Sequence, residues 1–235
     1  MKLLCIGDLH GKNCWKQIDL TKYDKIVFLG DYVDCESIDN EIQISNLSDI
    51  VNLKRNNPEK IVLILGNHDI HYSEFPKYQC RGFNADIQPT LTELFNSNLD
   101  QFCVAYQKEN WLFTHAGLTN KYFHQIMECS AMEFKAKEKN IADLLNAMHN
   151  EPNAQGKLHL ISYLRGGPFE FGGITWADSQ ETLTDFLIGF HQVVGHTRTP
   201  DFQYYSNSRN DDEAASITYI DVLDTLTKFH EVEIS

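Results

Sequence analysis

Asp8 and His10 stand two positions apart in "CIGDLHG", directly after a run of apolar residues at positions 3–6. In extended chain, side chains at i and i+2 project to the same side, so a carboxylate and an imidazole face one point in space. Gly7 and Gly11 flank the pair and let the backbone turn sharply there. Such a pair suits two ligands of one metal ion; the plainer alternative is a strand ending in a polar turn. The rest of the chain decides, because the same punctuation recurs. "KIVFL" runs into "GDYVD" at 30–34, and "KIVLIL" into "GNHD" at 66–69. "WLFT" runs into "HAG" at 115–117, and "HQVV" into "GHT" at 195–197.

Five buried strands thus end at polar side chains with a glycine beside them. In open α/β sheets, loops at the carboxyl ends of strands gather on one edge, where ligands bind. The five ends offer Asp8, His10, Asp31, Asn67, His68, His115 and His196. A mixed carboxylate, imidazole and amide set suits Mn, Fe or Zn better than Ca or Mg, which prefer all-oxygen sites. The set exceeds what one ion needs, and a carboxylate such as Asp31 can bridge two ions about 3.5–4 Å apart.

The elements that must position these residues are readable from periodicity. Strands are expected at residues 2–6, 25–29 and 60–65, with a helix over 41–53 between the last two. This alternation predicts an α/β layered domain with a parallel core. Further on, residues 90–96 read as helix and 101–106 with 111–114 as a strand pair turned at "KEN". One or two amphipathic helices are expected within 122–148, including Phe134, and a strand at 191–194. Residues 165–173, "RGGPFEFGG", form a glycine-rich loop, and the tail "SITYIDVLDTLTKFHEVEI" alternates as a terminal hairpin.

Composition narrows the class. With 235 residues and no evident linker, one domain over residues 1–235 is expected. A formal net charge of −13 repels polyanions, so generic nucleic-acid binding is not expected. Six scattered cysteines form no Cys-x-x-Cys pair and read as reduced thiols. No apolar run has the length of a membrane span or the form of a secretory signal, so a soluble, cytoplasmic protein is expected. The run Asp211, Asp212, Glu213 reads as a solvated loop.

The series "GDLHG … GDYVD … GNHD … HAG … GHT" resembles the calcineurin-like metallophosphoesterases. It is most similar to their phosphoprotein-phosphatase branch, with its small bacterial and phage phosphatases and symmetrical dinucleoside tetraphosphatases. The resemblance implies an α/β fold, a metallophosphoesterase-like layered β-sandwich flanked by helices. It implies two divalent ions, manganese in the first place with iron or zinc as alternatives. Asp8 and His10 would hold the first, Asp31 would bridge, and Asn67, His115 and His196 would hold the second. His68 would protonate the leaving alkoxide, with Asp69 orienting it. The implied activity is hydrolysis of a phosphomonoester by metal-activated hydroxide on a protein, nucleotide or small molecule. A phosphodiesterase, a dinucleoside polyphosphate hydrolase and a non-catalytic metal-bound scaffold are the alternatives.

Two positions depart from the branch pattern. "GDYVD" usually continues with Arg-Gly, and that arginine holds the substrate phosphate; here Cys35 and Glu36 follow. A thiol and a carboxylate cannot replace a guanidinium fork. Arg165 is the leading substitute, ahead of Arg81 and Arg198. Glu36 adds negative charge that disfavours a dianionic monoester. Arg198 stands where nuclease-like and diesterase members carry a second histidine, which favours monoester or dinucleotide chemistry. The remaining histidines, 71, 124, 149, 159, 191 and 230, read as structural or exposed, and Trp176 as a core or pocket wall.

Overall fold

The computed structural model describes residues 1–129, 140–207 and 214–234. Within them the chain forms two compact units: residues 1–103 with 222–235, and residues 104–221. Each unit holds one five-stranded sheet. The mixed α/β architecture, two sheets with flanking helices, bears out the expected class. Phe134 and the run 211–213 lie outside the described residues.

The first sheet is built from β1 (Lys2–Ile6), β2 (Lys25–Phe28), β3 (Ile61–Ile64), β4 (Phe102–Cys103) and β10 (His230–Glu233). Its order is β10-β1-β2-β3-β4. The four N-terminal strands are parallel, and β10 closes the edge antiparallel to β1. All four residues of β3 are buried, as their unbroken run of apolar side chains requires for a strand covered on both faces. Helices α1 (Asn40–Asn56), α2 (Asn67–Ser73) and α3 (Gln88–Asn96) belong to the same unit.

The second sheet contains β5 (Ala105–Lys108), β6 (Trp111–Thr114), β7 (His191–Arg198), β8 (Gln203–Asn207) and β9 (Ala215–Asp221). Its order is β5-β6-β7-β9-β8, with β6, β7 and β9 parallel and a hairpin at each edge. Helices α4 (Asn120–Cys129), α5 (Ile141–His149), α6 (Pro152–Leu158) and α7 (Ser179–Asp185) accompany it. Two sequence expectations are corrected. The strand expected at 101–106 is divided, β4 pairing with β3 and β5 with β6. The tail is no hairpin: β9 is a fully buried inner strand of the second sheet, whereas β10 is a half-exposed edge strand of the first. Alternation alone does not reveal which partner a strand pairs with.

The loops that follow β1, β2 and β3 are locked to one another. Leu9 and His10 N–H both donate to the Asp31 carbonyl (3.0 and 2.8 Å), and Gly11 N–H to that of Tyr32 (2.8 Å). Gly30, at φ +100°, lies so close to the next loop that a Cβ would sit 2.4 Å from Gly66 N. Asp69 fastens this junction. Its fully buried carboxylate accepts from Gly66 N–H (2.7 Å), Asp31 N–H (2.7 Å) and Tyr32 N–H (3.0 Å). It therefore caps α2 and pins the β2 loop with the same two oxygens.

Buried amides on α1 hold the outer side of these loops. Gln43 accepts from Cys35 N–H (2.9 Å) and donates to the carbonyls of Cys35 (2.9 Å) and Ile38 (2.7 Å). Asn46 accepts from Trp15 Nε1 (3.0 Å) and donates to the Lys12 carbonyl (3.0 Å). Gly11 packs on Gln43, where a Cβ would meet the Gln43 side chain at 2.8 Å.

Removing a buried acceptor strands its donors at about 1–3 kcal/mol each. Asp69→Ala leaves three buried N–H groups and should lower unfolding free energy by about 3 kcal/mol or more, read from urea denaturation. Gln43→Ala should lower it by about 1–3 kcal/mol on the same measurement. A loss below about 1 kcal/mol for Asp69→Ala would remove it as the fastener of the loops.

Candidate active site and metal centre

Four of the residues expected at the site, or directly in its motifs, carry left-handed backbone: His10 (φ 43°), Asp31 (φ 53°), Asp34 (φ 70°) and His196 (φ 61°). For residues with a Cβ this conformation costs about 1–3 kcal/mol and persists only where the surroundings over-determine it. In the first unit the over-determination comes from the locked loops described above.

Within that unit Asp8, His10 and Asp31 come together, all buried, with one ligand atom from each within 4.8 Å of the others. His10 Nδ1 lies 2.8 Å from the Val33 carbonyl, which fixes the proton on Nδ1 and leaves Nε2 as the lone-pair nitrogen. That Nε2 is 3.9 Å from Asp31 Oδ2, a spacing two ligands of one ion can share. Burial pulls the His10 imidazole below its ordinary pKa, outweighing Asp31, so the ring stays in its neutral, ligating form. Donor chemistry, tautomer and spacing all fit a first-row divalent cation. Asn67 is buried at the start of α2, and His68 N–H donates to Asp31 Oδ1 (2.9 Å).

His68 stands beside this cluster, its ring edge-on to that of His10 with centroids 5.1 Å apart. Its Nδ1 is 2.8 Å from Asp34 Oδ2. This corrects the orienting role expected of Asp69, whose oxygens are engaged with the three backbone N–H groups of the loop junction. Asp34 is fully buried in its side chain and meets three partners. His71 Nε2 lies 2.7 Å from the same Oδ2, and Tyr72 donates its hydroxyl to Oδ1 at 2.5 Å. Burial raises the Asp34 pKa, but the contacts with His68, His71 and Tyr72 outweigh it and hold the carboxyl below its ordinary value. Burial likewise pulls His68 down, and Asp31, the Asp34 bond and Asp69 outweigh it, leaving the imidazole raised. Cations at the neighbouring cluster would offset Asp31, and Asp34 would then be the main holder of the His68 proton.

Sequence reasoning missed Asp34, His71, Tyr72 and Cys80. Asp34 ends the quoted "GDYVD", and His71 lies one helical turn after His68, so both carried a signal. Cys80 Sγ is 3.2 Å from His71 Nδ1 and accepts a long contact from Asn67 Nδ2 at 3.7 Å. Burial pushes its thiol up to about 12, so it stays protonated at neutral pH. Cys35, where the branch arginine would stand, contacts Ser37 Oγ at 3.3 Å, and Glu36 is exposed.

Within the second unit His115 directly follows β6 and is fully buried, and Gly195 N–H donates to its carbonyl (2.9 Å). His196 occupies the irregularity of β7 between Val194 and Arg198. A bulge of this kind re-aims a side chain, and the two rings meet edge-on with centroids 5.0 Å apart. Trp176 packs edge-on against His196 at 5.6 Å. Arg165 reaches this end of the sheet: Nη2 donates to Thr197 Oγ1 (2.9 Å), and Nε pairs with Asp178 Oδ2 (2.8 Å). Arg81 and Arg198 are exposed. The other histidines of this unit follow the structural expectation where contacts define them. His159 is buried against Thr175 and pushed by burial down to about 3. His191 pairs with Ser216 at 2.8 Å.

Comparison with known proteins agrees with this chemistry. The family model for calcineurin-like phosphoesterases matches residues 1–200. A comparison with curated proteins finds no match. Among solved structures the chain is similar to the cold-active protein-tyrosine phosphatase of a psychrophilic Shewanella. Identity is 17% over 94% of this chain and 71% of that one, with a TM-score of 0.52. A second structure of a cold-active protein tyrosine phosphatase gives 17% identity, 94% and 69% coverage and a TM-score of 0.53. Among the described residues no helix is long and apolar enough to cross a membrane. The chain belongs to the calcineurin-like phosphoesterase family and is a metal-dependent phosphoester hydrolase.

Proposed function

We propose that this hydrolase is a phosphomonoesterase of the protein-phosphatase type, working with two divalent cations and with His68 as the acid for the leaving group. The observation that carries the reading is the His68–Asp34 pair at 2.8 Å beside the cluster of Asp8, His10 and Asp31. A scaffold that only binds phosphate has no use for a positioned proton donor. In this reading the two units act as one domain, and the protein is cytoplasmic.

Asp8, His10 and Asp31 would hold the first ion, and Asn67, His115 and His196 the second, with Asp31 bridging. The oxygen and nitrogen donors suit manganese, with iron and zinc close behind. Bound there, the ions supply Lewis acidity toward the phosphoryl oxygens and make water a nucleophile near neutral pH. The chain's own residues do the rest. Asp34 holds the proton on His68 Nδ1, so the proton to be given away sits on Nε2 and passes to the departing oxygen. Arg165, fixed by Thr197 and Asp178, is proposed to bind the substrate phosphate in place of the arginine lost at Cys35.

Exposure of Glu36 weakens its bias against a dianionic monoester, because solvent screens its charge. Arg198 in place of a second histidine favours monoester or dinucleotide chemistry. The similar structures are cold-active protein-tyrosine phosphatases, which makes phosphorylated protein side chains the first substrates to try.

His68→Ala should lower turnover of phenyl phosphate, which has a poor leaving group, by about 100-fold or more, and that of p-nitrophenyl phosphate far less. Equal losses on both would remove His68 as the acid. Asp31→Asn should abolish turnover together with metal retention on dialysis, and a variant that keeps either would refute the bridging role. Arg165→Ala should raise KM for a monoester by about tenfold with a smaller change in kcat. An unchanged KM would exclude Arg165 from phosphate recognition.

A further inference from the structure

We propose that His68, His71 and Cys80 form a separate site for a thiophilic divalent cation such as zinc, and that its occupation takes His68 out of proton transfer. The three residues bring one ligand atom each within 4.8 Å of one another, in the first unit and without any member of the Asp8, His10 and Asp31 cluster. Their donors are a sulfur and two imidazole nitrogens. That set selects zinc or cadmium, whereas the carboxylate-rich cluster beside it suits manganese.

His71 is already arranged as a ligand. Its Nε2 lies 2.7 Å from Asp34 Oδ2 as an ion-pair contact, out of line for a ring N–H hydrogen bond. Its Nδ1 faces Cys80 Sγ at 3.2 Å. Two ligands of a tetrahedral zinc, at about 2.0 and 2.3 Å from the ion, lie roughly 3.5 Å apart, so small movements admit the ion. Gly82 at φ +97° brings the chain after Cys80 against the His68 ring, where a Cβ would be 3.0 Å from Cε1. The segment carrying the thiol is thus held close to the acid.

Binding balances simply. The cation displaces two protons, one from the Cys80 thiol and one from His68, both of which leave to solvent, and a nitrogen of His71 completes three protein ligands. A His68 nitrogen given to a cation cannot carry the proton for a leaving group. The regulatory consequence rests on the proposed acid role of His68; the binding itself does not.

The test is a cadmium titration of the manganese-loaded protein, followed by thiolate-to-cadmium charge-transfer absorption in the ultraviolet. Wild type and Cys35→Ser should develop the band with one equivalent. Cys80→Ser and Cys80→Ala, each first checked for a native circular dichroism spectrum, should lack it. No band in wild type, or an undiminished band in both Cys80 variants, would overturn the site. In parallel, zinc should inhibit phenyl phosphate turnover, and Cys80→Ser should need about tenfold more zinc for the same inhibition. Equal sensitivity of the two would overturn the inhibitory role. A Cys80-dependent band in protein that hydrolyses no phosphoester would uphold the site and place the failure in the proposed function.

Discussion

One carboxylate organises the first unit. Asp69 accepts three backbone N–H bonds from two different loops, one carrying Asp31 and the other leading into α2 at Asn67 and His68. A buried carboxylate without partners would be costly, and three buried N–H groups without an acceptor equally so. Each therefore requires the other, and the junction has one low-energy arrangement. The close approach of Gly30 to Gly66 depends on the same fit, because no residue with a Cβ can occupy position 30. The fixed separation between the cluster of Asp8, His10 and Asp31 and the His68 ring follows from a joint between strand ends.

That joint explains why so much left-handed backbone is tolerated. His10, Asp31 and Asp34 have φ between 43° and 70°, and each lies in a loop whose carbonyls and N–H groups are committed elsewhere. Strain of this kind is a recurrent mark of working sites. Its effect here is to aim short side chains inward. Asp31 gives its carboxylate to the cluster and its carbonyl to Leu9 and His10 at once. Asp34 turns into the core beneath His68, where Tyr72 and His71 meet it.

The motif series was legible because buried parallel strands end abruptly. An apolar run followed at once by Asp, Asn or His with glycine is visible without any structure, and it pointed to Asp8, His10 and Asp31, which come together, and to His68 beside them. The orienting carboxylate was not legible. Asp69 is adjacent to His68 in sequence, but neighbours on a helix point apart, and the neighbour in space is Asp34 across the loop junction. Gln43 and Asn46 were hidden for a related reason: polar residues on a helix face read as solvated, and here they satisfy buried loop backbone. The tail misled because period-two alternation reports a strand and says nothing of its partner, and β9 and β10 pair in different sheets.

The most direct measurement is hydrolysis of p-nitrophenyl phosphate beside bis-p-nitrophenyl phosphate by protein stripped of metal and refilled with manganese. The account predicts manganese-dependent turnover with the monoester clearly faster. A faster diester would contradict the monoesterase reading. Turnover that survives complete metal removal would contradict the metal-ligating role of Asp8, His10 and Asp31, on which the account stands.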